Sequence, residues 1–363
     1  PTAVSFCRND CRLAGFYSNK QSQLLIKKTI IMAVTIDDIK KLRAMTGAGM
    51  KDCKKALTEA DGDLDKAVEL VRERGLAIAA KRSDRATSNG CVLGKVEDGF
   101  AACIALKCET DFVANGADYI ALTQEILDAA VAAKAKTLDE VKELTLADGL
   151  KIADAVTRRS GVVGEKMELD GYNYLEGENI YVYDHMGRHT LCTLVQLSAQ
   201  NEDAGHKVAM QVAAMKPVAL DEASVPQETK DSELKVAIEK TKEEQVEKAV
   251  VNAIKKAGIN PNLVDSEDHV ESNIAKGWLT REDADKAAEI RKTVAAEKAA
   301  NLPEQMIQNI AKGRMAKFFK ENCLVDQEFQ FGDGDKESVS QWLKKQDKDL
   351  KVVDFRRYTL AAD

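Results

Sequence analysis

Aromatic residues and proline are scarce in this chain: Phe, Trp and Tyr together make 5% of 363 residues, and there are five prolines. With 44% hydrophobic and 31% charged residues, that balance disfavours a sandwich of strands and favours Ala-rich and Lys/Glu-rich helices. Basic charge is not in excess. Lys and Arg number 53 against 60 Asp and Glu, a net charge of −7, which argues against a protein built to neutralise phosphates, so no direct nucleic-acid partner is expected. No stretch approaches the roughly 18 consecutive apolar residues of a membrane-spanning helix, so no membrane partner is expected either.

Catalytic signatures are missing as well. The chain has no G-x-x-x-x-G-K-[ST], G-x-S-x-G, H-E-x-x-H or C-x-x-C, the usual means of holding a nucleotide, an acyl group or zinc. His185 and His189 have a spacing that would aim both at one metal on a helix, but Gly187 and the flanking strand patterns place them across a hairpin turn without a third ligand. The eight cysteines are scattered, mostly within apolar runs, and read as reduced, buried small hydrophobes; Cys7 and Cys11 lie in an unusual leader. No metal, no cofactor and no enzymatic activity are expected.

Residues 1–31 are basic and nearly free of acids, and organised sequence begins only after Met32. They read as a leader outside the folded protein, disordered or not native, with an organellar transit peptide as the other reading. From Thr35 the pattern sharpens. Thr35 and Asp38 have capping-box spacing, and Ile36, Ile39 and Leu42 share a helical face. A second helix carries Met50, Cys53, Ala56 and Leu57, and a third carries Leu64, Ala67, Val68 and Val71 and is expected to stop at Gly75. Residues 32–80 thus form a three-helix domain near the lower size limit for folding alone.

After a charged connector, Lys81-Arg82-Ser83-Asp84-Arg85, residues 91–97 and 100–108 read as a hairpin turning at Asp98-Gly99. An amphipathic helix through Ile120, Ile126, Leu127 and Val131 follows. Residues 180–184 and 189–197, with a helix over 204–215, repeat the arrangement, predicting two related subdomains with small antiparallel sheets: 86–162, and 163–222 with 303–335. Between Pro226 and Pro303 the chain turns polar and charged, with apolar positions at helical spacing and a second capping box at Thr280 and Asp283; residues 223–302 read as an inserted antiparallel coiled coil. Residues 336–363, with Val339, Trp342 and Leu343, form a tail module. The fold class is α+β, dominated by helix.

Thr110-Asp111-Phe112-Val113-Ala114 stands where a strand gives way to a helix, a place where function concentrates. On pattern alone, Phe112 packs the core and Asp111 caps the helix.

Residues 42–50, Leu-Arg-Ala-Met-Thr-Gly-Ala-Gly-Met, with 52–57, Asp-Cys-Lys-Lys-Ala-Leu, resemble the amino-terminal signature of the elongation factor Ts family, and residues 110–114 resemble its second signature. Gly164-Glu165, residues 183–188, Lys216-Pro217 and residues 313–315 extend the similarity, which covers residues 32–331. The resemblance implies a ubiquitin-associated-like amino-terminal domain, a two-subdomain core and a coiled-coil insertion. It also implies a guanine-nucleotide exchange factor whose partner is elongation factor Tu, set in the bacterial cytoplasm rather than an organellar matrix. By position, Leu42, Arg43 and Met50 would meet the partner through the three-helix domain, and Val163 and His185 through the core. Thr110, Asp111, Phe112 and Val113 would enter beside the magnesium and phosphate side of the nucleotide pocket. Two departures stand out: Lys51 occupies a position that is often Met, and the arm is longer and more charged than in some relatives. Whether the arm makes a homodimer, giving a two-plus-two complex, stays open in the sequence. The rival reading is an adaptor or scaffold using the three-helix module and coiled coil without exchange activity, because small helical modules serve many roles.

Overall fold

The computed structural model describes residues 34–361 apart from 333 and 335; the leader and its two cysteines lie outside the described residues. The described residues are helix-rich and form two small three-stranded sheets, an α+β arrangement. The described residues up to 196, with those from 356 onward, form one compact unit, and residues 197–355 form a second.

Three helices open the first unit: α1 (Ile36–Thr46), α2 (Met50–Glu59) and α3 (Leu64–Lys81). The expected capping box starts α1, and Gly47, at φ 71°, ends it in the left-handed conformation that suits glycine. Asp63 caps α3 by accepting the Asp65 and Lys66 amides. Ile39, Leu42, Cys53, Ala56, Leu57 and Ala67 meet in the module's core as the periodicity indicated, but Ile36 and Met50, read on the same faces, stand at the first turns of their helices and are exposed.

Helix α3 does not stop at Gly75. It continues to Lys81, because Gly75 faces helix α7 (Ile152–Val163) at Gly161. A β-carbon on Gly161 would collide with the Gly75 backbone, whereas one on Gly75 would lie 3.4 Å from Gly161 Cα, at ordinary contact. Here glycine serves close approach between helices, not helix termination.

Strands β1 (Asn89–Glu97) and β2 (Phe100–Cys108) form the expected hairpin, with Asp98 and Gly99 both at positive φ in its turn. Sequence reading missed β3 (Met167–Glu176), which pairs antiparallel with β2. Strand β2 is therefore central, which explains its nearly unbroken apolar run. Phe100, Ala102, Ile104, Leu106 and Cys108 face a core shared with α5 (Ala117–Ala132), α6 (Leu138–Glu143) and α7. Ala101, Cys103 and Ala105 face the second sheet, β4-β5-β6 (Ile180–Asp184, Leu191–Leu197 and Val352–Thr359). Gly94 makes that stacking close, since a β-carbon there would lie 2.5 Å from Cys192 Sγ. All six cysteines among the described residues are buried free thiols, and burial pushes the Cys91 thiol up to about 12.

The second unit is largely helical. Helix α8 (Glu202–Met215) follows β5, and then comes α9 (Gln227–Lys256), 30 residues long. Helix α10 (Glu267–Ala275) precedes α11 (Arg281–Ala300), which starts at the expected Thr280 cap. Helix α9 packs along both α11 and α12 (Glu304–Asn322), with Arg314 on Glu244 at 2.6 Å. Short α13 (Val339–Gln346) buries Val339, Trp342 and Leu343. The chain then enters β6, a strand that the periodicity of the tail did not reveal. Among the described residues no helix is long and apolar enough to cross a membrane.

The Gly75 and Gly161 crossing gives an asymmetric expectation. Gly161→Ala should cost about 1–3 kcal/mol, as overpacking does. Gly75→Ala should be neutral or stabilising, because alanine favours helix by about 1 kcal/mol over glycine. Thermal unfolding midpoints of the two variants check this; equal losses would remove the close crossing as the reason for both glycines.

Candidate functional site

Residues 110–114 lie where β2 ends. Asp111–Ala114 forms a helix of four residues, α4, with Thr110 as its N-cap residue. The Thr110 side chain does not cap the helix; its hydroxyl donates to Glu165 Oε1 at 2.6 Å, and its amide donates to Glu165 Oε2 at 3.0 Å. The Cys108 thiol donates to the Thr110 carbonyl, and the Asn115 side-chain amide donates to the Asp111 carbonyl at the helix's far end.

Glu109 mirrors this arrangement from the other side. Its Oε1 accepts the Lys166 amide at 2.7 Å and Arg82 Nη1 at 3.0 Å, and its Oε2 accepts Arg85 Nη1 at 2.9 Å. Each of the two segments, 109–110 and 165–166, thus supplies a carboxylate to a backbone amide of the other. The Lys166 amide, with help from Arg85 and Arg82, holds the Glu109 carboxyl down to about 2.

The residue carried forward by this clamp is Phe112. It is 88% exposed, while Ala114 turns inward and Val113 is half-buried. The pattern-based reading of Phe112 as core and Asp111 as cap is therefore overturned: in so short a helix, the inward positions are filled by Ala114 and, beyond it, Tyr119, whose hydroxyl donates to the Leu106 carbonyl. Exposed on a tethered backbone, Phe112 forgoes the stabilisation that burial would supply.

Val163 ends α7, two residues before Glu165, so it stands next to the clamp. Arg43 and Met50 flank the turn between α1 and α2 and are exposed; Gly47 of that turn lies beside Val162 and Arg159 of α7. Leu42 is fully buried in the module's core, where it supports the surface that Arg43 and Met50 present. His185 occupies the β4–β5 turn of the second sheet, its Nδ1 3.1 Å from the Tyr183 hydroxyl. Beside it, His189 Nδ1 meets Asp184 Oδ2 at 2.5 Å, and Met186, at φ 58°, is exposed. The two histidines are bound to neighbours at a turn, as Gly187 and the flanking strand patterns indicated.

Sequence reasoning missed Glu109 and the role of Glu165. Glu109 adjoins the recognised motif, and Arg82 and Arg85 belong to the charged connector, but nothing local shows that residues 55 to 57 positions apart exchange hydrogen bonds.

The depressed Glu109 carboxyl has a testable sign. A group whose folded value lies below its ordinary 4.5 stabilises the fold fully above that value and loses its contribution as pH falls toward about 2. The stability difference between the wild type and Glu109→Gln should be constant at neutral pH and shrink between about pH 4.5 and 2. Denaturant melts across that range check it, and a difference that ignores pH would contradict the charge-assisted assignment.

A family profile described as Elongation factor TS matches residues 109–260 and 252–362. A protein named Elongation factor Ts from Bacteroides fragilis is 62% identical over 333 residues, covering 92% of this chain and 100% of that protein. Proteins of the same name from Phocaeicola vulgatus and Porphyromonas gingivalis are 61% and 41% identical, again over 92% of this chain and 100% of theirs. With a family profile spanning most of its length and relatives matched from end to end, the chain belongs to the elongation factor Ts family.

Proposed function

We propose that this protein is a guanine-nucleotide exchange factor of translation elongation, acting in the bacterial cytoplasm, which binds elongation factor Tu in its GDP form and promotes GDP release without a covalent step. The observation that carries this reading is Phe112, exposed on a helix tethered at its N-terminal end to Glu165, in a chain of this family.

Exchange asks only that binding of the partner and binding of its nucleotide oppose each other, and linkage makes that opposition reciprocal. Phe112, with Thr110, Asp111 and Val113 around it, disturbs the magnesium and phosphate side of the partner's pocket. Burying one phenylalanine contributes about 1.5–3 kcal/mol. At about 1.4 kcal/mol per decade, that is worth about ten- to hundredfold in GDP affinity. The remainder comes from a broad contact, in which Arg43 and Met50 present the three-helix module while Val163 and His185 serve from the core. This wide contact stabilises the opened partner until GTP binds and displaces the factor.

Stopped-flow release of a fluorescent GDP from elongation factor Tu, with catalytic amounts of this protein, tests the reading. Wild type should accelerate release, and Phe112→Ala should lose about ten- to hundredfold of the acceleration while still binding the partner. Binding without acceleration by the wild type would favour the adaptor reading instead.

A further inference from the structure

We propose that Glu109 is a positioning residue for Phe112 and the joint through which the three-helix module fixes the direction of helix α4, an inference that rests on the exchange reading above. Helix α4 has four residues and no side-chain cap at its N-terminus. A helix that short has no intrinsic stability, so its direction is set by whatever holds its ends.

Both carboxylate oxygens of Glu109 are engaged, and its carbonyl accepts the Asn89 side-chain amide at 2.9 Å. Two of its three carboxylate partners come from the module side: Arg82 is the C-cap residue of α3, and Arg85 follows in the connector. The third, the Lys166 amide, belongs to the segment that leaves α7. The same segment returns through Glu165 to grip Thr110, and the Glu165 carbonyl accepts the Ser160 hydroxyl of α7 at 2.5 Å. Helix α7 in turn meets α3 at the Gly161 and Gly75 crossing.

These contacts close a ring. It runs from α3 through Arg82 and Arg85 to Glu109, across to residues 165 and 166, into α7, and back to α3. Phe112 stands three residues from Glu109, just outside it. A shift of the module moves Arg82 and Arg85, and the Glu109 carboxylate passes that shift to the start of α4. Each guanidinium donates one Nη1 hydrogen bond, Arg82 to Oε1 and Arg85 to Oε2, so the carboxylate is held by charge-assisted bonds at both oxygens. Engagement of the module by a partner and the direction of Phe112 are thereby coupled.

The test is a double-mutant cycle in the full chain, with Glu109→Gln, Phe112→Ala and both together, read as fluorescent GDP release from elongation factor Tu at varied factor concentration. Glu109→Gln should lower the saturating release rate by about two- to thirtyfold, the span of such coupling changes, and leave the half-saturating concentration in place. In the Phe112→Ala background it should have no further effect. An equal loss in both backgrounds, or a loss confined to half-saturation, would overturn the proposal. Arg82→Ala, which removes the donor that reaches Glu109 Oε1 from the module side, should reproduce the direction of the change and serves if Glu109→Gln fails to fold. Independently of exchange, para-fluorophenylalanine at position 112 of the free protein should give one narrow fluorine NMR line that broadens or splits with Glu109→Gln; an unchanged line would refute positioning. If the wild type itself fails to accelerate release, the exchange reading fails on its own, and the fluorine line still decides whether Glu109 positions residue 112.

Discussion

The structure depends most on one reciprocal exchange of hydrogen bonds, in which Glu109 holds the Lys166 amide and Glu165 holds the Thr110 amide and hydroxyl. An exposed phenylalanine gains nothing for the fold, and a four-residue helix cannot direct it unaided. The two carboxylates supply that direction through charge-assisted bonds to groups whose own positions are fixed by β2, α3 and α7. Everything beneath them is conventional packing. Strand β2 is covered on one face by helices and on the other by a second sheet, so the platform from which α4 emerges is rigid.

Close packing at the base and exposure at the tip suit the exchange by binding alone that we propose. Exchange of this kind needs no nucleophile, metal or proton relay, only a surface already organised in the geometry that the opened partner requires. A side chain free to wander would spend part of its contact energy on its own ordering. The ring through α3, Glu109 and α7 also lets the small module contribute beyond its contact area, because what it holds is mechanically continuous with the base of Phe112.

Much of this was legible in the sequence, and the failures follow a pattern. The capping box at Thr35, the Thr280 cap and the Asp98-Gly99 hairpin are local signals found where expected, and so are the helical stripes of the module apart from the exposed Ile36 and Met50. Strands β3 and β6 escaped because Asp170, Gly171 and Asn173 in one, and Asp354, Arg356 and Arg357 in the other, dilute the alternation of apolar residues. Gly75 was misread for a related reason: a glycine in a helical pattern signals either a stop or a close crossing, and only the partner glycine on α7 distinguishes them. Phe112 was recognisable by resemblance but not by pattern, since an apolar residue beside a strand end ordinarily packs inward. The clamp around it joins residues more than fifty positions apart and left no local trace.

The exchange proposed here requires the tethered segment around Phe112 to be a contact surface for the partner. Amide hydrogen exchange of this protein, alone and in complex with elongation factor Tu, tests it most directly. New protection is expected across residues 110–114 together with the turn between α1 and α2. Protection confined to the module and the long helices of the second unit, with residues 110–114 unchanged, would contradict it.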